Sequence, residues 1–123
     1  MYPVFVKALL LSVLLFQTEE SSPFKGEGLS GGGRACNGIL RIYPSYLNWE
    51  TGFSTCDHVI YKALQNSKDG PWVYQWNPKK GCLYSVLEVR QPKDGGFWNV
   101  VGYETVTAWR KQDTNHVIAC AMY

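Results

Sequence analysis

The sequence predicts an all-β fold: a small antiparallel meander, closed as a barrel or folded as a sandwich, of about seven short strands with one short helix or irregular segment before the last strand. Two observations carry that expectation. After the N-terminal leader, every apolar run is short and bounded by turn residues, and no long helical period appears. The stretch from Gly81 to Tyr103 also has the form of a β-hairpin. Leu83, Leu87 and Val89 alternate with Tyr84, Glu88 and Arg90, Pro92 ends the run, Asp94-Gly95-Gly96 tolerates positive φ, and Phe97 to Tyr103 is again aromatic and β-branched. Closure into a barrel is favoured because it removes exposed strand edges.

A chain of 123 residues holds one domain, and 46% hydrophobic with 15% aromatic residues is enough to build a core. The net charge of +2 is too weak to indicate nucleic acid or an anionic membrane surface as partner. Lys79-Lys80, flanked by Asn77-Pro78 and Gly81, reads as a solvated turn.

Ala8 to Phe16 is an unbroken apolar run preceded by Lys7, the pattern of a signal-peptide core, followed by polar residues from Gln17 to Ser22. A signal peptide is therefore expected over 1–22. The run is too short to span a bilayer, so no transmembrane segment is expected in the mature chain. Residues 23–35, with Gly26, Gly28 and Ser30-Gly31-Gly32-Gly33, have the composition of a flexible linker. A phosphate-cradling loop would need a strand before the glycines and a helix after them, which the pattern does not offer. The β domain is expected over 36–123.

Within it, Gly38 to Tyr43 is the first strand and Tyr46 to Trp49 the second. His58 to Leu64 is the third, with Val59, Tyr61 and Ala63 opposite in phase to His58, Ile60 and Lys62. Trp72 to Trp76 places three aromatics on one face. The hairpin supplies two more strands, Glu104 to Lys111 is the helical or irregular segment, and His116 to Tyr123 is the last strand. The four cysteines lie after the leader without zinc-ligand spacing, and an even number in a small exported domain implies two disulfides. In an antiparallel meander Cys56 and Cys82 each open a strand at the same end. If the last strand returns to the first, Cys120 comes beside Cys36. The expected pairs are Cys36–Cys120 and Cys56–Cys82.

Gly38 to Trp49, Cys56 with Tyr61, Cys82, and the terminal Cys120-Ala121-Met122-Tyr123 resemble the small exported β-barrel lipoproteins of Gram-negative bacteria. The resemblance covers Gly38 to Tyr123 and carries no catalytic motif. No cysteine follows the apolar core of the leader, so it implies a secreted or periplasmic form without the lipid anchor. Such barrels include lysozyme inhibitors, although a net charge of +2 opposes a basic lysozyme at long range.

Candidate chemistry is sparse. His58 and His116 are the only histidines, and with Glu88 they are the alternative catalytic set, for a secreted hydrolase or nuclease using general acid and base. No nucleophile elbow or metal-ligand spacing is present, and no cofactor or metal is expected. Trp72, Tyr74 and Trp76 are the candidate binding residues if their face is exposed, and a core layer if it is not. The reading that results is a non-enzymatic exported binding module contacting a protein or envelope component. A lipocalin-like carrier is a further alternative, requiring small residues such as Ala63, Gly102 and Ala119 to leave a void in an interior that side chains would otherwise fill.

Overall fold

The computed structural model describes residues 28–66, 70–93 and 96–123. The leader expected over 1–22, the start of the linker and the Asp94-Gly95 turn lie outside the described residues. The strands are β1 (Leu29–Gly31), β2 (Gly38–Ile42), β3 (Tyr46–Glu50), β4 (Thr55–Asn66), β5 (Trp72–Trp76), β6 (Val86–Arg90), β7 (Trp98–Tyr103) and β8 (Val117–Met122). A single helix, α1 (Val106–Lys111), precedes β8. Each strand pairs antiparallel with the next, in the order of the chain. Ser30 exchanges both backbone hydrogen bonds with Tyr123, at 2.8 and 3.0 Å, so the eight-stranded sheet comes back on itself as a nearly closed barrel.

β1 corrects the expectation of a tether over 23–35. The Gly/Ser composition there has little to bury, but a strand between two others needs backbone groups more than side chains. Leu29, 5% exposed, is the one residue of β1 that joins the core. The folded domain thus begins before Cys36.

β4 is long because it turns the sheet. Its first half pairs with β3 and its second with β5, and the register shifts once on each side. One shift falls at His58, whose φ of 51° is that of a bulge residue. Bulges of this kind bend a strand, which is what closing a small barrel requires.

The alternation read from the sequence fills the inner face. Leu40, Leu47, Trp49, Tyr74, Leu87, Val89, Val100 and Met122 are all buried inside the barrel. Trp49 fits because residue 102 is glycine: a Cβ there would stand 2.5 Å from the edge of its indole ring. On the outside, α1 covers β5 to β7 and creates a second apolar layer. Val73, Val86 and Tyr103 are buried beneath Val106, Ala108 and Trp109. Glu104 to Lys111 therefore resolves as a helix from Val106, with Thr105 capping it by accepting the Ala108 N–H at 3.0 Å. Arg110 and Lys111 lie in the last turn, where the helix dipole favours cations.

The disulfides are the expected ones. Cys36 pairs with Cys120 and Cys56 with Cys82, with Cα separations of 5.7 and 4.7 Å. Two details of the central hairpin differ from expectation. Leu83 is exposed, because the strand begins only at Val86 and the chain before it follows the loop bridged by Lys79 and Cys82. Glu88, expected on a solvated face, is buried because α1 lies over it.

Candidate functional site

The alternative catalytic residues are not brought together. His58 lies at the β4 bulge, exposed, its ring stacked on Tyr46 at a centroid distance of 4.0 Å. His116 is exposed in the turn before β8, with a φ of 59°. Three strands lie between β4 and β8 in one direction around the sheet, and three in the other. Glu88 sits on β6 with its own partners: Oε2 accepts from Arg90 Nε at 2.9 Å and Oε1 from Trp109 Nε1 at 3.0 Å. A proton relay needs its members within hydrogen-bond reach, and these three sit at separate places around the sheet, on β4, on β6 and in the turn before β8. Among the described residues, no group of three His, Cys, Asp or Glu side chains is placed to hold a metal ion.

The aromatic stripe does share one face, and the face is the inner one. Tyr74 and Trp76 are 0% and 3% exposed. Burial pushes the Tyr74 phenol well above the usual tyrosine range, and the neighbouring Tyr61 adds to the shift. Trp72, at the strand end, is half-buried and tilted against Trp98 at 6.4 Å. These residues therefore belong to the core and offer no exposed platform. Nor do the small residues open a cavity. The indole of Trp49 occupies the space at Gly102, while Ala63 and Ala119 are exposed.

A different surface carries aromatic and apolar groups. Tyr43 in the connection after β2, Tyr46 on β3 and His58 on β4 come together as a continuous stack, with Tyr43 and Tyr46 at 4.7 Å. Ile60, opposite Tyr46 in the β3–β4 register, is 71% exposed. The bulge holds the stack in place, since the His58 N–H donates to Asn48 Oδ1 at 2.6 Å. The Tyr61 hydroxyl donates to the Tyr43 carbonyl from the next strand. Beside the stack lies a shallow depression of about 190 Å³ lined by Ile39, Arg41, Asn48, Glu50 and Asp57 among others. The one signal of this face in the sequence is phase. Tyr46 alternates with the core residues Leu47 and Trp49, and Ile60 stands between Val59 and Tyr61.

Fold and site together define a small disulfide-braced antiparallel barrel with a packed interior, one flank covered by a helix and another bearing a stacked row of aromatic side chains of which His58 is exposed and Tyr43 and Tyr46 are half-buried. No family model matches the chain, and no curated protein and no solved structure matches it. Among the described residues no helix is long and apolar enough to cross a membrane.

Proposed function

We propose that this protein is a non-enzymatic exported binding module, secreted or periplasmic, that contacts a protein of the cell envelope or surroundings through the outer face of β2, β3 and β4. The observation that carries the reading is the stack of half-buried Tyr43 and Tyr46 with exposed His58, and Ile60, 71% exposed, beside it, apart from the apolar layer under α1. Tyrosines with an aliphatic neighbour and a mixed-charge rim have the composition of a protein contact surface, where aromatic side chains supply area at small entropic cost. The packed interior favours surface contact over carriage of a small ligand. Export is supported by the two disulfides, which persist in oxidising compartments, together with the leader pattern.

A photo-crosslinking amino acid placed at Ile60, with a control at the exposed helix position Thr107, tests this. In envelope and secreted fractions the Ile60 probe is expected to give one discrete, saturable protein adduct that Thr107 does not give. Tyr46→Ala should reduce that adduct about tenfold while leaving the thermal melt within a few degrees, as for loss of an interface anchor. Identical adduct patterns at the two positions, or none from a folded protein, would refute the assignment.

A further inference from the structure

The other flank of the barrel holds a charged arrangement that surface contact through β2 to β4 does not use. Glu88 is on the outer face of β6 yet its side chain is only 5% exposed. Burying a carboxylate is costly unless it is paired, and both of its oxygens are paired. Trp109 Nε1 holds one from α1, and Arg90 Nε holds the other from two residues along the same strand. The helix could be fastened to the sheet by apolar contact alone, through Val106 and Trp109 on Val73 and Val86. What the carboxylate adds is a fixed orientation for Arg90.

That side chain is 55% exposed, and Nε is the only guanidinium atom with an acceptor among the described residues. The Nη groups are left for something else. Arg90 borders a cleft of about 310 Å³ between α1 and the barrel, lined also by Gln65, Pro71, Trp109, Arg110 and Gln112. Arg110 is a second arginine in its lining, and among the described residues Glu88, already engaged, is the only carboxylate there. The wall is thus cationic in excess, with Pro71 and Trp109 supplying an apolar side. Its volume is at the lower end of the roughly 300–1,000 Å³ typical of small-molecule sites. A guanidinium braced along one edge presents its other edge in the fork geometry that suits carboxylate and phosphate oxygens.

We infer that this cleft binds the oxyanion group, carboxylate or phosphate, of a small organic anion, with Arg90 as the oriented contact, Arg110 as the second charge and Glu88 as a positioning residue. The apolar remainder of the ligand lies against Trp109 and Pro71.

The test is a titration of the oxidised full chain, followed by nuclear magnetic resonance of the Trp109 indole and arginine Nε–H signals. Benzoate, phenyl phosphate, inorganic phosphate and the neutral isostere benzamide serve as probes. Benzoate or phenyl phosphate is expected to give saturable shifts at Trp109 and Arg90, and the stronger of the two identifies the oxyanion. Benzamide should give none, and inorganic phosphate should bind more weakly than phenyl phosphate. Arg90→Gln should weaken binding at least about tenfold, the scale of a lost charge-assisted contact. Should Arg90→Gln fail to fold, Arg110→Gln on the exposed helix surface carries the same expectation at a smaller size, about threefold or more. Absence of saturable shifts in the unaltered protein, equal shifts with benzamide, or unchanged affinity in the folded variants overturns the inference.

Discussion

Trp76 shows how one side chain can be both essential to the core and imperfectly served by it. Its indole is buried, and its N–H, like that of Trp49, has no acceptor among the described residues. An unpaired buried donor costs about 1–3 kcal/mol, which the burial of a large aromatic surface must outweigh. Truncation and donor removal should therefore diverge. Trp76→Ala is expected to lose about 3–5 kcal/mol in denaturant unfolding. Trp76→Phe, which deletes the unpaired N–H but keeps a ring, should lose much less, and equal losses for the two would show that the donor is satisfied in solution. Tyr74 gives a second residue-scale test, in pH. Its folded pKa is raised, first by burial and then by Tyr61, above the value of about 10 of an unfolded tyrosine. Above that pH the unfolded chain releases a proton that the native state retains, so stability is fully present below about pH 10 and declines as pH rises beyond it. Tyr84 and Tyr103 shift in the same direction, chiefly by burial, with Glu104 and Glu88 as the nearby negative charges. In urea unfolding across pH 9 to 12, Tyr74→Phe should flatten the decline by up to about 1.4 kcal/mol per pH unit. An unchanged slope would place the alkaline loss elsewhere.

At the scale of elements, α1 is the piece least able to stand alone. Six residues are far below the length at which an isolated helix persists in water, so its stability comes from its cap and its docking. The Trp109 indole is the polar part of that docking. Trp109→Phe keeps an aromatic ring against Val73 and Val86 but withdraws one donor from buried Glu88. About 1.5–3 kcal/mol should be lost, as for a hydrogen bond to a charged group, with faster amide exchange confined to α1. Loss spread evenly over β5 to β7 would instead mean that the helix is integral to the sheet. This docking is also where the sequence was hardest to read. Alternation in β6 correctly assigns Leu87 and Val89 to the barrel interior, but a period of two only separates two faces and does not reveal what covers the outer one. Glu88 and Val73 are buried by a helix whose own pattern, six residues long, leaves helix and strand unresolved. β1 was hidden for another reason: three residues of Gly/Ser-rich chain have no period, and their strand state is imposed by the edges they join. The meander order, by contrast, was legible enough to fix both disulfide pairs. For the proposed contact face, the outward phase of Tyr46 and Ile60 was visible. The bulge that stacks His58 on Tyr46 was not, since nothing in Asp57-His58-Val59 announces a positive φ.

The whole molecule is a ring with one thin joint. Seven of its strands have five or more residues, whereas β1 has three, and β1 meets the far end of the chain through the single residue pair Ser30 and Tyr123. Cys36, in the connection from β1 to β2, is bonded to Cys120 in the middle of β8, so this disulfide spans the joint. The other, Cys56–Cys82, ties the start of β4 to the connection between β5 and β6, away from it. In the chain-entropy model the sequence separations of 84 and 26 correspond to about 4.5 and about 3.5 kcal/mol, so the two are of similar global worth. Their local consequences should differ. Replacing Cys36 and Cys120 by alanine should release the Ser30 and Tyr123 amides to fast exchange while β5 to β7 remain protected. Replacing Cys56 and Cys82 should lower overall stability and leave the joint closed. Because β2 borders the joint and carries Ile39 and Arg41 of the proposed contact face, the first variant should also weaken crosslinking from Ile60, and the second should weaken it much less at temperatures where both are folded. If the joint amides stay protected without Cys36–Cys120, backbone pairing alone closes the barrel and the disulfide acts only on the unfolded chain.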